Sequence, residues 1–228
     1  MADIIVVSTG AYKAALDEIL ARFLATSKFQ TRVVYESAAA VGKRLEAGEA
    51  VDVAISSNPV MEALVGKSLI AAGSLQPAGQ NAVCVAYKAG TEPPTVATLA
   101  ELAGVLVNVE SISLSDPALG GGSAGFFLQK VKALGMTEAV LPKLVYTKGG
   151  QGAVPVAEGR AVIGIAQTSE IAPLPGLAAA PLLPDEPAGL VTYQAGLTPG
   201  AREGAAALLA FMRGKEALEI CRKAGLSK

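Results

Sequence analysis

Short continuous apolar runs alternate along this chain with stretches whose apolar residues recur at helical spacing, and small polar residues stand at the joins. Ile4 to Val7 is the first run, ended by Ser8-Thr9-Gly10. From about Ala11 to Ala25, the residues Ala14, Ala15, Ile19, Leu20 and Phe23 follow a 3.6-residue period and predict a helix. Thr31 to Tyr35 reads as a second strand, Glu36-Ser37-Ala38-Ala39-Ala40 as a turn, and Val41 to Glu46 as a helix closed by Gly48. Val51 to Ile55 predicts a third strand, followed by Ser56-Ser57-Asn58 and by Pro59, which suits a first helical turn. Small hydroxyl or amide residues thus end three successive strands, the place where open α/β sheets take ligands.

The same grammar then repeats. Asn81 to Tyr87 predicts a strand, Leu99 to Ala103 a helix, and Val109 to Ser115 leads into Asp116-Pro117-Ala118-Leu119-Gly120-Gly121-Gly122-Ser123-Ala124-Gly125. Glycines at this density let the backbone approach a ligand without Cβ interference. Ser123 stands as the N-cap of a helix from Phe126 to Leu134, whose first-turn N–H groups would favour an anion. Lys143 to Tyr146 and Ala161 to Ala166 predict two more strands, ending in Thr147-Lys148-Gly149-Gly150-Gln151 and Gln167-Thr168-Ser169-Glu170, with a short helix from Ala153 to Glu158 between them. Ala172 to Ala188 reads as surface connections, Leu190 to Leu197 as a strand returning to the first lobe, and Ala201 to Ala224 as a helix broken near Gly214. The expected fold class is α/β with two lobes, each a mostly parallel sheet flanked by helices. Residues 1–80 plus 195–228 form lobe I, and 81–194 form lobe II.

Composition narrows the chemistry. Half of the 228 residues are hydrophobic but only 4% are aromatic, so Ala, Val, Leu and Ile must build the core. A formal net charge of −1 with scattered basic residues argues against nucleic acid as a partner. No apolar run is long enough to span a bilayer, so stable membrane insertion is not expected. The chain enters a strand directly after Met1-Ala2-Asp3, which implies a cytoplasmic protein if Met1 is the native start, or an export signal already removed. Histidine is absent, which removes the commonest metal ligand and general base. Cys84 and Cys221 have no neighbouring cysteine and read as buried free thiols, so neither a metal nor a cofactor is expected.

Four collinear segments carry a family resemblance: Val7-Ser8-Thr9-Gly10-Ala11; Leu45-Glu46-Ala47-Gly48 with Val51 to Ser56; Ser115-Asp116-Pro117 with Ser123-Ala124-Gly125; and Gly164 to Glu170. In these the chain resembles the molybdate-binding, type II periplasmic solute-binding proteins of ABC transporters. Gln167-Thr168-Ser169-Glu170 followed by Pro173-Leu174-Pro175-Gly176 is similar to a divergent branch of that family, and aconitate isomerase belongs to the same superfamily. The resemblance implies two crossover strands acting as a hinge, closure on a small anion held in the cleft between the lobes, a permease as partner, a periplasmic setting and a monomer. Where molybdate binders carry serines and a tyrosine, this chain has Ala11, three alanines after Ser37, and Gln167. Those departures point to a carboxylate larger than a tetrahedral oxyanion.

The expected ligand contacts are Ser8, Thr9, Gly10, Ala11, Ser37 and Ser57 in one lobe, and Gly122, Ser123, Ala124, Lys148, Gln151, Gln167 and Thr168 in the other. Lys148 is the cation best placed for a carboxylate, Lys13 a weaker one. The simpler reading has no catalytic residue. An isomerase moving a double bond in a polycarboxylate would draw its acid and base from Lys148, Glu170 and Tyr12.

Overall fold

The computed structural model describes residues 3–119, 122–148 and 150–227. The chain divides into two compact units, Met1–Gln80 with Val191–Lys228, and Asn81–Leu190. The return crossing thus falls at 190/191, so Val191 to Gln194, assigned to the second lobe from sequence, belong with the first.

Unit 1 contains β1 (Ile4–Thr9), α1 (Lys13–Thr26), β2 (Thr31–Glu36), α2 (Ala38–Glu46), β3 (Val53–Ser57) and α3 (Asn58–Gly66). Strand β4 (Gln76–Lys88) leads out of the unit. The strand order β2-β1-β3 is parallel throughout. Ile4, Val6, Val53 and Ile55 pack on one face against Leu16, Ile19 and Phe23 of α1. Val7 and Ala54, offset by one residue, face Val41 and Leu45 of α2 and Met61 and Leu64 of α3 on the other. Runs of successive apolar residues, as in Ile4 to Val7 and Val53 to Ile55, are what a sheet covered on both faces requires.

Unit 2 continues β4 through α4 (Leu99–Asn108), β5 (Ile112–Ser115), α5 (Gly122–Ala133), α6 (Thr137–Val140), β6 (Leu144–Thr147), α7 (Val154–Ala157), β7 (Ile163–Gln167), α8 (Thr168–Ile171) and β8 (Leu177–Pro181). Its sheet is mixed rather than mostly parallel: β7-β5-β6 are parallel, while β4 runs antiparallel to both β7 and β8. Strand β8 corrects the reading of 172–188 as surface connections. An alanine run ending in Pro181 makes an edge strand because proline at a strand end removes no central ladder bond. Val85, Leu114, Ile165 and Phe127 lie in one core cluster, and Cys84, Ala86, Ala166 and Ile171 in another.

The chain returns along β9 (Leu190–Leu197), antiparallel to β3, and ends in α9 (Ala205–Phe211) and α10 (Lys215–Lys223). Gly214 separates these helices at the expected break, and Leu208, Leu209, Met212 and Cys221 join the α1 side of the core. No described helix is long and apolar enough to cross a membrane.

Candidate functional site

In a parallel sheet every strand ends at the same edge, so each unit collects its strand-end residues in one place. In unit 1, Ser8 pairs with Tyr35 and Ile55, and Thr9 with Glu36. This brings Ser8 to Ala11, Ser37 and Ser57 to a common edge, where α2 and α3 begin and a 3-10 turn, Gly10–Tyr12, opens α1.

The side chains at this edge have different fates. Ser8 is fully buried and donates only to the Thr9 carbonyl oxygen at 3.3 Å, so its hydroxyl serves the sheet rather than the open edge. Ser37 caps α2 by accepting from the Ala40 N–H at 3.3 Å. Ser57 is the N-cap residue of α3 without a side-chain capping bond, and its half-buried hydroxyl is available. Thr9 is 4% exposed, and its Oγ1 has no hydrogen-bond partner. Gly10 is exposed and Ala11 half-buried.

Tyr12 neither covers the edge nor offers a proton. It is 1% exposed, donates to the Ala78 carbonyl oxygen at 2.9 Å and lies 3.2 Å from Cys221 Sγ. Burial pushes its phenol well above the ordinary value, which removes it from the acid–base candidates. Lys13 pairs with Asp17, and Arg44 is held by Glu36 and Glu49, so both charges are matched within the unit.

In unit 2 the parallel strands β5, β6 and β7 bring Gly122 to Ala124, Lys148, Gln151, Gln167 and Thr168 to one edge. Gly120, Gly121 and Gly149 lie outside the described residues. Helix α5 begins at Gly122, so Ser123 stands in its first turn and is not the cap expected from sequence. Ser123 and Ala124 are buried and Gly122 exposed. The loop after β6 is pinned by Gly152, where an added Cβ would lie 2.3 Å from the Ile165 carbonyl oxygen; the Ser113 hydroxyl donates to the Gly152 carbonyl oxygen at 2.6 Å. Lys148 and Gln151 are exposed on that loop.

Sequence reading missed the residue that organises the β7–α8 turn. Asn81, fully buried at the start of unit 2, donates to Gln167 Oε1 at 3.1 Å and Ser169 Oγ at 2.6 Å. Its carbonyl oxygen accepts from the Ser169 N–H and the Thr168 hydroxyl. Thr168 Oγ1 also accepts from the Ala82 N–H. The Thr168 hydroxyl is therefore engaged within the fold, and Gln167 Oε1 is held by the same amide. The one sequence signal was an amide opening an otherwise apolar strand. Glu170 accepts from the Gln167 N–H at 3.0 Å and completes a capping box on α8. Burial raises its carboxyl above the usual range while that bond opposes the shift.

The electrostatics favour anions. Helices α1, α2, α3, α5, α7 and α9 carry no acidic residue in their first turns, whereas α4, α6, α8 and α10 each do; α1, α2, α3 and α5 are those of the first group that begin at the strand-end residues described above. Where no carboxylate of the protein answers a helix N-terminus, its positive end is left for another anion. Among the described residues no three His, Cys, Asp or Glu side chains gather as a metal site. A cavity of about 360 Å³ at the opposite edge of unit 1 includes Glu49, Asp52 and Arg202 in its lining. The Asp52 carboxylate there is spent on the Ile5 and Arg202 N–H groups, tying β1 and β3 to the 198–202 segment.

Comparison with known proteins agrees with this architecture. The chain is 24% identical over 191 residues to aconitate isomerase from Pseudomonas sp, covering 82% of this chain and 71% of that one. The periplasmic molybdate-binding protein of Azotobacter vinelandii superposes with a TM-score of 0.76 at 19% identity, over 99% of both chains. PEB3 of Campylobacter jejuni, also solved with L-phospholactate bound, gives 0.67 at 16% identity over 99% of this chain and all of that one. Both superpositions show the shared type II α/β binding fold. Residues 4–227 match the family model for bacterial extracellular solute-binding proteins, and the chain belongs to that family.

Proposed function

We propose that the protein receives a small carboxylate anion as the solute-binding component of an ABC-type uptake system, in an extracytoplasmic setting and with a permease as partner. The observation that carries this reading is the set of helix N-termini at the strand edges with no acidic residue in their first turns, α1 to α3 in unit 1 and α5 in unit 2. At the unit 1 edge Ser57 is a donor, and at the unit 2 edge the N–H groups at the start of α5 and exposed Lys148 and Gln151 are donors, with little formal charge. A carboxylate fits better than a tetrahedral oxyanion because the hydroxyl protons of Ser8 and Thr168 are donated within the fold.

Thermal denaturation with molybdate, sulfate, succinate, malate, citrate and trans-aconitate tests the proposal, since a ligand of the native state raises apparent stability. Concentration-dependent stabilisation by carboxylates, weakened several-fold in Lys148→Ala and Ser57→Ala, is the expected result. Stabilisation by molybdate or sulfate alone, or by none of the six, would reject it.

The similarity to aconitate isomerase favours a second reading, turnover of an unsaturated polycarboxylate. Tyr12 is excluded by its burial in the core. Glu170, raised by desolvation, and Lys148 remain as the titratable pair of unit 2. Incubation with cis- or trans-aconitate, following the other isomer, decides between binding and turnover.

A further inference from the structure

Buried polar side chains of this protein are hydrogen-bonded almost throughout, as Asp52, Gln76, Asn81 and Ser113 show. Among the described residues three buried side-chain oxygens have no partner: Thr9 Oγ1, Asn58 Oδ1 and Gln194 Oε1. All three belong to unit 1, and the strand register gathers them. Ser8 pairs with Ile55, so the next residues, Thr9 and Ser56, lie side by side; Ser56 in turn pairs with Gln194. Asn58 is the first residue of α3, two positions beyond Ser56.

Side-chain alternation gives the row a direction. Thr9, Ser56 and Gln194 share the face of Val7 and Ala54, toward α2 and α3. The Ser56 hydroxyl confirms that face by donating to the Ala38 carbonyl oxygen at the start of α2, 3.3 Å away. A hydroxyl and two carboxamides therefore lie at one end of the sheet beneath helix N-termini that have no acidic residue, with no charged side chain among the three.

We propose that Thr9, Asn58 and Gln194 form a subsite for a ligand hydroxyl, so that the solute is a hydroxycarboxylate rather than an unsubstituted or unsaturated one. A carboxylate brings only acceptors: the Thr9 hydroxyl can donate to it, but the Asn58 and Gln194 amide oxygens would stay unpaired against it. A ligand hydroxyl both donates to one of these amide oxygens and accepts from the Thr9 hydroxyl, which a carboxylate oxygen cannot do. Sites built to bond a hydroxyl discriminate strongly against analogues lacking it, because their own buried polar groups are then left unpaired. The inference rests on the carboxylate reading above and adds the part of the ligand that unit 1 recognises.

Two matched pairs isolate the hydroxyl: citrate against tricarballylate, and malate against succinate. Calorimetric titration of the full chain is expected to show at least about tenfold tighter binding of the hydroxylated member in one pair. Thr9→Val and Gln194→Met should bring that ratio close to one. Without ligand, both variants should melt at or above the wild-type temperature, because an unpaired buried oxygen contributes nothing to the fold. Equal wild-type affinities within each pair would overturn the subsite and leave the carboxylate reading standing. A ratio kept in both variants, or a clear loss of melting temperature without ligand, would likewise overturn it. If no member of either pair binds, this inference falls, and stabilisation by trans-aconitate decides whether the carboxylate reading falls with it.

Discussion

Replacing Asn81 by leucine tests whether the β7–α8 turn is held by the amide at the start of unit 2. The substitution keeps the branched outline in a larger side chain and removes four hydrogen bonds, two donated and two accepted. At about 1 kcal/mol each, the loss is roughly 4 kcal/mol, and the buried Ser169 N–H is left without its acceptor. Burying the leucine side chain returns about 1–2 kcal/mol. The net cost of about 3 kcal/mol corresponds to a melting temperature lower by about 6–12 °C for a chain of this size. Differential scanning calorimetry and urea unfolding measure it directly. Hydrogen exchange adds location: amides of Gln167 to Ile171 should lose protection while those of β1 keep it. A loss below about 1 kcal/mol, or unchanged protection at the turn, would refute the assignment of Asn81 as its anchor.

Three further outcomes follow from the packing and the titrating groups. Gly152→Ala should cost more than about 3 kcal/mol or prevent folding, since its Cβ would stand 2.3 Å from a backbone oxygen; urea unfolding within about 1 kcal/mol of wild type would contradict this. Glu170 has a carboxyl raised by burial, so its contribution to stability is present below its unfolded pKa of about 4.3 and is lost as pH rises through the folded value. Glu170→Gln, which keeps an acceptor for the Gln167 N–H, should therefore match wild type near pH 4 and equal or exceed it in urea midpoint at pH 7. Burial pushes Cys84 up to about 11 and raises Cys221, so Ellman's reagent at pH 8 should label neither thiol in the native protein and both in urea; rapid native labelling would show that the core is open.

Periodicity and strand-end chemistry made much of this protein legible from its sequence. The βα units over residues 4–66, the crossing near Gln80 and the helix break at Gly214 follow from local patterns that the tertiary structure had no reason to override. The edges where the polar residues gather were legible too, because parallel strands must end together. Which side chains remain free there was not. A serine at a strand end looks the same whether its hydroxyl is spent on the sheet, as in Ser8, or left available, as in Ser57. Gln194 carried no local motif, Asn58 only its place at a strand end and Asn81 only its place at a strand start, and their roles arise from partners found or missing elsewhere in the fold. The antiparallel strand β8 escaped notice because an alanine and proline run has no strand signature until β4 supplies its ladder. Local sequence determines the elements and the edge on which they end. Hydrogen-bond partnership is a property of the folded neighbourhood, and only the tertiary structure decides which polar groups are left to meet a ligand.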